Sequence, residues 1–173
     1  LSLLQQSGFI QEVLPDVDVK PMAKLTIQAL KEKNNFLSAM TLILVFSEIN
    51  SAASDFVLSR LKLSSDEKKE ILFNLAHWHL IENTKSDGAH LLRTFAEGRA
   101  SSLMTCFEAL ALVIPSLNKN LAVLQKISKQ KLPEAFLSAK ELMEVGISPG
   151  PQMGSLIKTA YDLQLRLELK SKS

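Results

Sequence analysis

The sequence predicts an all-α protein, a bundle-like array of several helices in two loosely separable groups, with no sheet. Three observations carry this reading. Leu, Ala, Lys, Glu and Ser dominate the 173 residues, whereas glycine and proline contribute six each. No Val/Ile/Thr-rich alternating run of the kind a strand requires is present. Apolar residues also recur at helical spacing almost from end to end, with prolines, glycines and polar clusters at the joints. With 46% hydrophobic and 22% charged side chains, the chain has enough apolar content for one large core or two small ones, which excludes a disordered tail.

Taken in order, Leu3, Leu4, Phe9, Ile10, Val13 and Leu14 form two short helical turns around Gly8 that stop at Pro15. Pro21 suits the first turn of a helix that runs through Leu25 and Leu30. The apolar run Phe36 to Ile49, interrupted by Ser38, Thr41, Ser47 and Glu48, is about 14 residues long where a bilayer span needs roughly 20. It is therefore a buried core helix. Phe56, Val57, Leu58 and Leu61 share one face of the next segment. Ser64-Ser-Asp-Glu67 is a capping-box pattern, opening a helix from Ser65 to about Ile81. The polar stretch from Asn83 to Gly88 separates a group at 1–83 from a group at 84–173. Helices follow over 88–97, 100–114 and 117–130, with Gly98 and Pro115 at the breaks. Ser138-Ala-Lys-Glu141 repeats the capping box and opens a short helix that ends at Gly146. A last helix runs from Pro151 to about Leu169, with Met153, Leu156, Ile157, Ala160, Leu163 and Leu167 in one apolar stripe. The joint between these two helices spans 138–169. No fixed-period repeat is present.

The chain starts at Leu1 with apolar residues and no basic leader, and is read as a fragment of a longer protein. The single cysteine, Cys106, falls in the apolar pattern of a helix; a packed thiol and a reducing, cytoplasmic setting are expected. Net charge is +2, unevenly spread. Residues 1–116 hold 11 Lys/Arg against 13 Asp/Glu, residues 117–173 hold 9 against 5. The basic C-terminal third suits a phosphate-bearing partner, and is also compatible with ordinary surface.

Few motifs carry chemistry. Asp16-Val-Asp18 has the D-x-D form that holds magnesium when alternate strand residues present both carboxylates, but here it follows Leu14-Pro15 in a loop with no strand. His77 and His79, with His90 further on, fail as a metal set because i and i+2 diverge by about 200° on a helix. One packed and one solvated histidine is expected there, with Trp78 in core or helix packing. No nucleophile turn, phosphate loop or dinucleotide fingerprint is present, so no complete active site is legible. Asp66-Glu-Lys-Lys-Glu70 reads as a solvated helix face.

The stretch Leu142-Met-Glu-Val-Gly-Ile-Ser-Pro-Gly-Pro-Gln-Met-Gly154 contains three of the six glycines. Gly146 suits a left-handed residue where a helix ends, and Pro151 the first position of the next. With Gly150 at the N-cap, the N–H groups of Gln152, Met153 and Gly154 lack a side-chain partner and form an anion-accepting helix N-terminus. Lys140 before it and Lys158 two turns after it add charge. An alternative from the same residues is that Gly146 and Gly154 let two helices pack closely.

Pro133, Leu137-Ser-Ala-Lys-Glu-Leu142, Gly146-Ile-Ser-Pro-Gly-Pro151, Gly154 and Gln164 resemble the C-terminal signature of the bacterial tRNA nucleotidyltransferase (CCA-adding enzyme) and poly(A) polymerase family. Ala139 stands at the usual glycine of that signature and Glu141 at the usual aspartate. Leu3-Leu-Gln-Gln-Ser-Gly-Phe-Ile, leading to Leu14-Pro15, and Leu61-Lys-Leu-Ser-Ser-Asp-Glu67 are similar to two earlier family segments, in the expected order. The resemblance implies that the chain is the helical body and tail of such an enzyme, non-catalytic by itself and cradling tRNA or another RNA. ATP or CTP and magnesium would belong to a catalytic head that precedes it, so Asp16 and Asp18 inherit no catalytic role. The head and the RNA are the implied partners, in the cytoplasm and without a membrane. Lys140, Gly150, Gln152, Met153, Gly154 and Lys158 are the candidate phosphate contacts. The competing expectation is a helical protein-interaction or dimerisation module without RNA binding.

Overall fold

The structure, a computed structural model, describes residues 20–30, 36–47, 58–85 and 87–166. The expectations placed on Leu3 to Asp18, on Ile49, on Phe56 and Val57, and on Leu167 to Leu169 lie outside the described residues. Within them the protein is all-α, with no strand. Helix α1 is Pro21–Ala29, α2 Phe36–Phe46, α3 Ser65–His77, α4 Gly88–Phe95, α5 Ser101–Val113, α6 Asn118–Ser128, α7 Ala139–Glu144 and α8 Pro151–Leu165. Short 3-10 turns at Trp78–Ile81, Ala96–Gly98 and Pro115–Leu117 follow α3, α4 and α5.

Local chemistry sets the helix starts. Pro21 and Pro151 occupy first-turn positions, where a missing N–H costs nothing. Both capping boxes form: the Ser64 hydroxyl accepts from Glu67 N–H while the Glu67 carboxylate accepts from Ser64 N–H, and Ser138 with Glu141 repeats the exchange. Each box satisfies two amides that the helix itself leaves unpaired, at about 1 kcal/mol per cap. The hydrogen bonds from Ser64 hold the exposed Glu67 carboxyl below its ordinary pKa. Pro115 ends α5, as the sequence predicts, and Gly98 sits at φ +68 between α4 and α5.

The described residues group into two compact units, 20–84 with 100–125 and 85–99 with 126–166. The sequence reading drew a single boundary at 83/84; in this grouping the segment 100–125 returns to the first unit.

In the first unit α1, α2, α3 and α5 pack on one another around Ile27, Leu42, Ile43, Leu44, Ile71 and Cys106. Each fully buried Leu or Ile there contributes roughly 1.5–3 kcal/mol. Trp78 lies between Phe46, whose ring centre is 6.0 Å away, and Phe107, at 5.3 Å. The polar interruptions of the α2 run are not on a solvated face: Ser38 and Thr41 are fully buried. The Asn74 amide on α3 donates to Thr41 Oγ1 (3.2 Å) and to Ser102 Oγ (2.9 Å), and the Ser38 hydroxyl donates to the Ser102 carbonyl (3.1 Å). Three helices thereby share one satisfied polar network inside an apolar core, which fixes their register.

In the second unit α8 packs on α4 and on α7. Its inner face carries Met153, Gln164 and Leu165, all buried. Leu156, assigned by periodicity to the apolar stripe, is 46% exposed instead. The face displaced toward Tyr161 and Gln164 is the one that holds the irregular stretch 131–137. Tyr161 Oη donates to the Pro133 carbonyl (2.9 Å), Gln164 Nε2 to the Glu134 carbonyl (2.7 Å), and Phe136 N–H donates to Gln164 Oε1 (2.9 Å).

Candidate nucleic-acid interface

The joint between α7 and α8 takes its shape from three residues. At Gly146 the backbone turns to φ +89. Gly146 N–H donates to the Met143 carbonyl (3.0 Å) and Ile147 N–H to the Leu142 carbonyl (2.9 Å). This pair of bonds is a Schellman closure, which pairs carbonyls that α7 leaves open. A non-glycine residue in that left-handed conformation would cost roughly 1–2 kcal/mol. Gly150 is the N-cap of α8, in extended backbone, with no side-chain capping bond.

The sequence assigned three free amides to this N-terminus. The structure corrects one of them: Gly154 N–H donates to the Gly150 carbonyl at 3.3 Å. Gly154 is the first residue far enough along to close an α-helical ring on the N-cap, so its amide is already engaged. Gln152 and Met153 are left as the first-turn donors, since Pro151 has no N–H. Gln152, Gly150 and Gly154 are exposed, whereas the Met153 side chain turns inward and is buried. Among the described residues no helix packs closely against these glycines. A Cβ added at Gly146 or Gly154 would meet no heavy atom within 4 Å.

Lys140, in the first turn of α7, and Lys158, in the middle of α8, are both exposed. Among the described residues no carboxylate lies within ion-pair distance of either ammonium group. The arginines of this unit are engaged internally. Arg93 Nε lies 2.9 Å from Asp162 Oδ1, an ion-pair distance without the direction of a hydrogen bond, and its Nη2 donates to the Lys158 carbonyl (3.2 Å). Its guanidinium stands 5.1 Å from the centre of the Tyr161 ring. Arg166 Nη2 donates to Asp87 Oδ2 (2.7 Å) while Asp87 Oδ1 caps α4 at Ala89 N–H (3.1 Å). The Arg166 bond, followed by the cap, holds the Asp87 carboxyl below its ordinary value. Sequence reasoning missed these arginine contacts, because the pairs are 69 and 79 residues apart.

Of the two neighbouring histidines, one is packed and one is solvated. His77 Nδ1 donates to the Phe73 carbonyl (2.8 Å) and its ring lies against Phe73, while His79 is exposed. Among the described residues no group of three His, Cys, Asp or Glu is placed to hold a metal ion. Cys106 is buried, its Sγ donating to the Ser38 carbonyl at 3.5 Å, and burial pushes its thiol up to about 12. A thiol so protonated is no nucleophile at neutral pH. A groove of about 300 Å³ in the first unit has Leu112 and Glu108 in its lining, and Gln125 Nε2 donates to Glu108 Oε1 (3.2 Å). No helix among the described residues is long and apolar enough to cross a membrane.

Fold and site together define, over the described residues, an all-α protein carrying a helix–turn–helix joint whose second helix has an N-terminus without a side-chain cap, with exposed Lys140 and Lys158 on the two helices. Comparison with protein-family models, with curated proteins and with solved structures gives no match.

Proposed function

We propose that this chain is the RNA-holding, non-catalytic helical portion of a tRNA nucleotidyltransferase or poly(A) polymerase-like enzyme, acting in the cytoplasm. The α7–α8 joint is the observation that carries the reading. Gly146 closes one helix, Gly150 opens the next without a side-chain cap, and exposed Lys140 and Lys158 have no carboxylate within ion-pair distance among the described residues. Two free amides and a helix dipole favour an anion by only about 1 kcal/mol. Useful affinity therefore requires several phosphates along one backbone, which an RNA supplies and a single small anion does not. Such contacts set where the RNA lies rather than which sequence it has. Nucleotide, magnesium and the chemical step belong, on this reading, to a head that precedes the chain.

The test is equilibrium binding of tRNA across a salt series. Affinity is expected to fall steeply with salt, and Lys140→Glu with Lys158→Glu to lower the slope of log K against log salt by roughly 1.5–2. An affinity indifferent to salt would sink the reading, and one untouched by the double substitution would remove the α7–α8 joint from it. A second reading, a protein-interaction or dimerisation module, draws on the exposed apolar side chains Met143, Val145 and Leu156 on α7, its C-cap and α8. A tight dimer by light scattering with no tRNA affinity would favour it.

A further inference from the structure

We infer that Lys126, Lys129 and Lys131 form a second phosphate-binding patch for an RNA backbone, with Glu97 as the residue that holds it in shape. The inference rests on the RNA-binding reading and adds residues that lie outside the glycine–proline joint.

The chain from Ala109 to Pro133 holds four lysines and no carboxylate. Lys126, Lys129 and Lys131 are exposed, and no carboxylate among the described residues lies within ion-pair distance of them. Helix α6 buries Leu121 and Leu124; at 100° per residue Lys126 points to the opposite side, with Lys129 next to it one turn on. A solvated lysine face alone is ordinary. The backbone beyond α6 is not.

Glu97 grips that backbone on both sides of Lys131. Its N–H donates to the Gln130 carbonyl (3.0 Å), and its Oε1 accepts from Leu132 N–H (3.2 Å). To do so Glu97 adopts φ +59, ψ 22, a left-handed conformation that costs a non-glycine residue roughly 1–2 kcal/mol. Gly98 stands beside it, where such a conformation is free of that cost, yet both residues are left-handed. Strain of this kind persists where the surroundings enforce it and concentrates at functional sites. The second carboxylate oxygen of Glu97 lies 3.1 Å from Arg99 Nη2, so its charge is balanced and does not oppose an incoming anion.

Three exposed ammonium groups within six residues, on a backbone fixed in advance, match a chain of closely spaced anions. Lysines act as point charges toward phosphate and do not need the planar geometry of a guanidinium pair. The end of α6 carries partial negative charge, so binding falls to the ammonium groups and not to the helix terminus. Glu97 touches no RNA; it is a positioning residue.

The test uses the intact chain and labelled tRNA over a salt series, with thermal unfolding in parallel. Lys126→Gln, Lys129→Gln and Lys131→Gln together are expected to lower the slope of log K against log salt by about 2, and the three Lys→Arg changes to keep it. Glu97→Gly removes the strain and the carboxylate grip. It is expected to leave the melting temperature unchanged or raised while tRNA affinity at low salt falls several-fold, a split that a merely structural residue does not give. If the wild type binds tRNA steeply with salt and the three glutamines leave the slope unchanged, the patch is overturned while the RNA reading stands. If instead they lower it and Lys140→Glu with Lys158→Glu does not, the patch stands and the glycine–proline site falls. A wild type that ignores tRNA overturns the RNA reading itself. Binding to phosphatidylserine vesicles lost in the glutamine variant, without tRNA affinity, overturns RNA as the partner in favour of a membrane surface.

Discussion

Two glycines eight residues apart have opposite roles. Gly146 sits at φ +89 in open space, so its value is conformational, whereas Gly154 lies in helical backbone with nothing near a would-be Cβ. Gly146→Ala is expected to destabilise the protein by about 1–2 kcal/mol. Gly154→Ala should stabilise it by about 0.5–1 kcal/mol, because alanine loses less backbone entropy in a helix. Thermal or urea unfolding of the two variants reads both signs. A loss of stability at Gly154→Ala would mean that a close helix contact forms there after all. The same residue scale explains why the sequence over-counted amides. The glycine–proline pattern and the N-cap at Gly150 are visible in the letters, but Gly154, four residues on, already closes its ring on the Gly150 carbonyl, so only Gln152 and Met153 stay open.

At the scale of elements, α4 and α8 are joined through the Asp87–Arg166 and Arg93–Asp162 pairs. Asp87 has its carboxyl held below the usual value by Arg166. A depressed folded-state value means stability that is present above the unfolded carboxylate pKa of about 4, and that is lost as pH falls through the lower folded one. The second unit is therefore expected to melt more easily from about pH 5 downward, and Asp87→Asn to flatten that dependence. Measuring melting temperature against pH for both proteins checks this; parallel curves would remove Asp87 from the account. Both side chains are nearly half exposed, so salt should weaken the same effect. Both capping boxes and both helix-opening prolines are legible because each is a bargain among neighbours in sequence. The Gln164 clamp on Glu134 and Phe136 and the Glu97 grip on residues 130–132 span 28 to 35 residues, and no local pattern announces them. Glu97 is further hidden by Gly98, which takes the left-handed role that a reader would assign there.

At the scale of the molecule, the all-α class follows from composition and period, but the return of 100–125 to the first unit does not. Asn74 shows why. A polar residue inside the α3 pattern reads as surface, yet it is fully buried because Thr41 and Ser102 bring hydroxyls to it from α2 and α5. Asn74→Ala strands those hydroxyls, at an expected cost of about 2 kcal/mol. That corresponds to a roughly 30-fold larger open population. Cys106 offers the measurement, since it lies in the same core and its Sγ donates to the carbonyl of Ser38. In the native protein a thiol reagent should label it only through opening events, and the Asn74→Ala variant should label about 30-fold faster. Equal rates would mean that the network does not hold this part of the core together.

Cys106 thereby acquires a use that has nothing to do with chemistry performed by the protein. As the chain's single thiol, it is a clock set inside the first unit. Its labelling time by a thiol reagent records how often α2 and α5 part, with no cysteine having to be introduced. The same clock, run with and without tRNA, would report whether a ligand taken up elsewhere on the chain slows the breathing of this core.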